Sequence, residues 1–156
     1  MYTNSIIASR ESIAKVYEVF HAEFAQLADI EGLLTFLTFQ PVPKSFVRAG
    51  RKNGGNIMGI SPRKAPYSWI SQSVTWTKEE DDARVKAAQA AASNTYMTWA
   101  QKHGLADDFL YLNDAEESQD VFAGYGEENR EFLRAVRDKY DPTGVFTHLM
   151  PGGYKV

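Results

Sequence analysis

The residues best equipped for chemistry fall into two groups. Tyr111, Asn113 and Asp114 make the first, the catalytic candidates: a phenol, an amide and a carboxylate in close succession. On an extended segment Tyr111 and Asn113 share one face, because side chains alternate along a strand, and together they would line a pocket. A phenol and a carboxylate exchange protons, and an amide polarises a carbonyl or hydroxyl group. The other role open to Tyr111 and Asn113 is to satisfy local backbone groups. Asp114 also belongs to a carboxylate cluster with Glu116 and Glu117. Like charge and burial would push one member towards neutrality and make it a general base, whereas a solvated loop would do neither.

The second group is the substrate-binding candidate: Trp69, Ser71, Gln72 and Ser73, with Phe36 and Thr38 on a neighbouring apolar run. Aromatic walls with a few hydroxyl and amide groups suit a small-molecule pocket, and they equally suit the partly polar face of a dimer interface. Other chemistries find no residues. The chain has no cysteine, which excludes disulfides, thiolate nucleophiles, thiolate metal sites and a cysteine-linked flavin. His21, His103 and His148 show no ligand spacing, so no metal is expected. No serine stands in a nucleophile elbow and no glycine loop carries a phosphate-binding lysine.

Seventeen Lys and Arg against twenty Asp and Glu give a net charge of −3, with no basic stripe for nucleic acid. No run is long and apolar enough to span a bilayer, and Met1–Ser5 has no basic start before an apolar stretch, so a cytoplasmic location is expected. With 156 residues, 44% hydrophobic and 24% charged, one globular domain is expected.

The candidates need elements to hold them. Ile13, Val16, Tyr17, Phe20, Phe24 and Leu27 recur at helical spacing and predict a helix from Ser9 to Ala28. Leu33–Phe39 reads as a well-buried strand, ended by Pro41 and Pro43. The glycine-rich stretch between Pro43 and Pro66 reads as loop, short strand at Ile57–Ile60, and loop; Asn56 there suits a structural turn role. Tyr67–Thr77 predicts a second long strand. Thr77-Lys-Glu-Glu80 has the form of a capping box opening a helix that runs to about His103, where Gly104 stops it. Phe109–Leu112 predicts a last strand, and Glu127–Tyr140 a helix with Phe132, Leu133, Val136 and Tyr140 on one face. The order predicts an α+β fold: an antiparallel sheet of about four strands with helices packed on one face, the other face seeking a cover.

Several segments, in order, resemble one family. Gln40-Pro-Val-Pro43, Gly54-Gly-Asn-Ile-Met-Gly59, the strand ending at Trp76 before an acidic helix start, and Tyr111-Leu-Asn113 carry the resemblance. Tyr125-Gly126, Glu128-Asn129, Lys139-Tyr-Asp-Pro142, Val145-Phe146 and Pro151-Gly-Gly-Tyr-Lys155 complete it. Together they resemble the C-terminal half of the berberine-bridge-enzyme-like FAD-linked oxidases of fungal type. The resemblance implies that residues 9–113 correspond to the second half of a substrate domain whose sheet roofs the flavin, and 114–156 to the C-terminal segment. It places Tyr111 and Asn113 in a Tyr-x-Asn motif near flavin and substrate. An aromatic residue usually follows, where this chain has Asp114.

The family's flavin-tethering histidine and cysteine and its pyrophosphate loops find no counterpart in these residues. That leads to the expectation of a flavin-free homologue with no cofactor. It would act as a redox-neutral cyclase or isomerase, a pericyclic ring closure included, on a small secondary metabolite. Two alternatives stand beside it: part of a true FAD-dependent oxidoreductase needing a separate flavin domain, and a non-catalytic dimeric binding or scaffold protein. A homodimer is expected wherever half of a substrate domain leaves its sheet face bare.

Overall fold

A computed structural model describes residues 1–64 and 66–156. Strands β1 (Tyr2–Ile7), β2 (Leu34–Val42), β3 (Tyr67–Thr75) and β4 (Ala106–Asp107) form one open antiparallel sheet in the order β2-β3-β1-β4. Helices α1 (Arg10–Ala25) and α3 (Asp82–Lys102) cover one face of it. The short α2 (Lys44–Ala49) and the amphipathic α4 (Glu127–Tyr140) complete the helices of the described residues. The expected class, an antiparallel sheet with helices on one face, is what the chain adopts.

Between sheet and helices lies the larger apolar core. Ile6 and Ile70 of the central strands meet Val16, Val19, Ala92 and Ala100. Phe20, Phe24, Leu27 and Val85 continue the same layer towards the far end of the helices. Helix α1 begins with a reciprocal cap, in which Ser9 Oγ accepts from the backbone N–H of Ser12 and Ser12 Oγ accepts from that of Ser9. Helix α3 ends where Gly104 takes a φ of +67°, as its sequence position predicts.

Five elements depart from the expectation. β1 was not foreseen, yet it is an interior strand, because Thr3 and Asn4 are polar residues buried through hydrogen bonds. β2 is an edge strand whose outer residues are exposed, and it continues through Pro41, since an edge strand has one side free of ladder bonds. Thr77 makes no capping box: its backbone N–H donates to Glu31 O, a 3₁₀ turn at Glu79–Asp81 follows, and Asp82 accepts from Trp76 Nε1 at 2.7 Å. Ile57–Ile60 is a turn, and Phe109–Leu112 runs irregularly into a 3₁₀ turn at Leu112–Asp114.

The second face of the sheet is covered over part of its area. Val42, Tyr67 and Trp69 pack there with Val47 and Ile60 from the connection between β2 and β3, and with Phe109, Val121 and Tyr125 from the C-terminal third. Gln119 fastens this segment to the sheet: its Nε2 donates to Thr3 O at 2.8 Å and its Oε1 accepts from Thr3 N at 3.1 Å, as a neighbouring strand would.

Candidate functional site

Register decides which candidates meet. Phe36 pairs with Ser73, Thr38 with Ser71, and Gln40 with Trp69, while β1 sets Thr3 opposite Ser71 and Ser5 opposite Trp69. Directly opposed residues share a face, so Phe36, Thr38, Trp69, Ser71 and Ser73 all point away from α1 and α3. Gln72 points the other way. It is fully buried, its Nε2 donating to Ser93 Oγ at 2.7 Å and Tyr96 OH at 3.1 Å, with Tyr96 OH donating in turn to Asn4 Oδ1 at 2.6 Å. Burial raises the Tyr96 phenol to about 12. Gln72 therefore belongs to a core network and not with the other substrate candidates.

The five residues on the outer face differ in access. Trp69 is 7% exposed and lies within 5.1 Å of Phe109 and 4.9 Å of Tyr111, ring centre to ring centre, the latter nearly parallel at 16°. Ser71 is buried beside Met1. Phe36 is 58% exposed, Thr38 is exposed and Ser73 half-buried, and Leu34 at the strand's start is as open as Phe36. An uncovered strip of Leu34, Phe36, Thr38 and Ser73 thus continues the same face beyond the aromatic cover.

Tyr111 and Asn113 come together, though not as residues of a strand. Asn113 Nδ2 donates to Tyr111 OH at 2.9 Å across the 3₁₀ turn, and the N–H of Asp114 donates to Tyr111 O at 3.0 Å. Within the carboxylate cluster, Glu116 does not gain the raised pKa of a general base. Hydrogen bonds from the Ser118 hydroxyl and N–H lower the Glu116 pKa, against the upward pull of burial, and Glu117 is exposed.

A cleft of about 700 Å³ that the sequence reasoning missed opens between the Gly54–Ile60 loop and the start of α4. Arg51, Asn56, Glu127, Glu128 and Asn129 line it. Asn56 is structural, as expected: it donates to Gly50 O and accepts from Met58 N. Gly59, at a φ of +71°, lies so close to the Tyr125 carbonyl that a side chain would collide with it. Two segments that carried the family resemblance, Gly54–Gly59 and the stretch from Tyr125 to Asn129, wall this cleft, and nothing in the sequence alone joins them. Among the described residues no group of His, Cys, Asp and Glu could hold a metal ion, and no helix is long and apolar enough to cross a membrane.

Comparison with known proteins supplies the rest. The chain is 42% identical over 120 residues to an FAD-dependent monooxygenase of Fusarium proliferatum, covering 77% of this chain and 23% of that one. It is 36% identical over 160 residues to an FAD-dependent monooxygenase of Cochliobolus heterostrophus, covering 99% and 31%. A protein of Diaporthe leptostromiformis named as an oligopeptidase is 31% identical over 157 residues, of which the chain spans 13%. No family model matches. No solved structure matches.

The expectation of no cofactor is overturned: relatives over most of this chain are FAD-dependent, which points to FAD. The open strip gives an apolar wall of Leu34 and Phe36 with the Thr38 and Ser73 hydroxyls beside it. The diphosphate end does not fit. The cleft offers Arg51 as its lining cation, faced by the carboxylates of Glu127 and Glu128, which repel phosphate. This cleft is thus no site for the diphosphate. The chain spans about a quarter to a third of the length of the FAD-dependent relatives it matches, and it belongs to the fungal FAD-linked oxidoreductase family.

Proposed function

We propose that the chain forms the substrate-side wall of an FAD-dependent oxidoreductase acting on a small organic molecule of fungal secondary metabolism. The observation that carries this reading is the open strip Leu34, Phe36, Thr38 and Ser73, continuous in register with a buried aromatic stack. An edge of sheet left bare and half apolar is the kind of surface a planar substrate lies on. Phe36 supplies the stacking wall, and the Thr38 and Ser73 hydroxyls fix a substrate oxygen. Tyr111, its phenol held by Asn113, bounds the strip where it passes under the aromatic cover, with Asp114 beside it as proton acceptor. The flavin, when bound, would supply the two-electron oxidation.

The cyclase or isomerase without flavin that the sequence suggested loses its premise with the correction of the cofactor. The test is the visible absorbance and turnover of the complete gene product, with and without Phe36→Ala and Thr38→Ala. A yellow protein whose KM for its substrate rises in both variants, with flavin content unchanged, supports the proposal. A colourless protein, or variants with unaltered kinetics, would overturn it.

A further inference from the structure

Strand β4 is two residues long and pairs with Ser5 and Ile6, so the start of β1 has no strand beside it on that side. A cleft of about 410 Å³ opens there, between α3 and the segment that follows β4, a size in the usual range for small-molecule sites. It shares no residue with the strip of Leu34, Phe36, Thr38 and Ser73, nor with Tyr111, Asn113 or Asp114, so a ligand here does not depend on the substrate-wall reading. Two polar side chains on its wall are almost wholly buried, Asn4 at 9% and Ser93 at 2% exposed. The core network fixes how they point. Gln72 Nε2 donates its two protons to Ser93 Oγ and Tyr96 OH, and the one proton of Tyr96 goes to Asn4 Oδ1. The Asn4 oxygen is thus held inward, and its Nδ2 is a donor with no hydrogen-bond partner among the described residues. Buried polar groups are paired as a rule, so an open donor on a cleft wall marks a place for an acceptor from outside.

The rest of the wall decides the kind of molecule. Asn94, Gln101 and Asp108 are exposed, and their side chains have no hydrogen-bond partner among the described residues. Asp107 is already committed, accepting from Lys64 Nζ at 3.0 Å and from the N–H of Phe109 at 3.1 Å. Among the described residues no Lys or Arg lines the cleft, and the free Asp108 carboxylate repels anions. An occupant must therefore present an acceptor to Asn4 and a donor to Asp108, and hydroxyl groups do both. Tyr2, Met97 and Leu110, each half-buried, give apolar contact for a carbon skeleton. We infer that this cleft binds a small neutral polyol, with one hydroxyl oxygen accepting from Asn4 Nδ2 and another hydroxyl donating to Asp108.

The test titrates the 156-residue chain with D-glucose and, separately, with myo-inositol, following the side-chain amide NMR signals of Asn4, Asn94 and Gln101. Saturable shifts of these signals with at least one of the two probes are expected. Shifts that grow linearly with both, without saturating, overturn the inference. Asp108→Ala changes an exposed position, so the spectrum should remain that of the folded chain while binding weakens about tenfold, the loss expected for one hydrogen bond to a charged group. An affinity that this variant leaves unchanged also overturns the inference. Gluconate and methylammonium test the charge argument: tighter saturation by either than by the two polyols would assign the cleft to an ion. Phe36→Ala should leave the glucose titration as it is, which keeps a failure of the substrate wall apart from a failure here.

Discussion

Tyr111 lies flat over Trp69, ring centres 4.9 Å apart and planes inclined by 16°, so that a residue of the C-terminal third covers a tryptophan of the sheet. Trp69 Nε1 has no hydrogen-bond partner among the described residues, and the stack shields it from water. Tyr111→Ala should therefore admit water to the indole. The expected outcome is a red shift in tryptophan emission and a loss of about 2 kcal/mol in urea unfolding, from lost area and stacking. Tyr111→Phe should retain most of that stability. Equal behaviour of both variants would mean that the ring contact contributes nothing.

The buried network on the opposite face gives the contrasting case. Removing the Tyr96 hydroxyl leaves Asn4 Oδ1 without its donor and deprives Gln72 Nε2 of one acceptor. Tyr96→Phe should destabilise by about 1–3 kcal/mol. Gln72→Leu should act on stability in the same range and leave substrate KM untouched in the complete enzyme, because Gln72 is closed off from the outer face.

Glycines in the cleft loop should respond unequally to alanine. At Gly59 the added methyl meets the Tyr125 backbone and the φ is positive, so Gly59→Ala should cost at least about 2 kcal/mol. At Gly54 the φ is also positive, but the space beside it is open, so only the backbone term of about 1 kcal/mol applies. Thermal melts of the two variants side by side measure the difference.

Acid should loosen the attachment of the segment around Glu116. Its folded pKa is lowered by bonds from Ser118, so the contribution is complete above about pH 4.3, the unfolded value. It is then lost as pH falls through the lower folded value. Glu116→Gln should flatten that part of the stability profile, with little change at neutral pH. A profile that keeps its acid limb in the variant would assign the effect to another carboxylate.

Much of this was legible in the residues. Helix α4 occupies Glu127–Tyr140 as its acids and closing Asp141-Pro142 predict, and Gly104 stops α3 where expected. β1 was not foreseen, because its polar positions are buried through partners that only the fold supplies: Thr3 Oγ1 donates to Ile70 O and Asn4 accepts from Tyr96. The alternation along β3 put Trp69, Ser71 and Ser73 on one face correctly, while Gln72 had to fall on the other. The cleft was beyond sequence reasoning because its walls, Gly54–Ile60 and Tyr125–Asn129, meet only through tertiary packing.

The position of β1 has a consequence for how the chain assembles. Asn4 pairs with Ile70 and Ser5 with Asp107, so β1 waits for both its neighbours, which follow it in the chain. Loop closure of that span precedes any gain from the central ladder, and such non-local pairing slows folding. α1 and its cap can form at once, but the sheet cannot close until residue 107 has emerged.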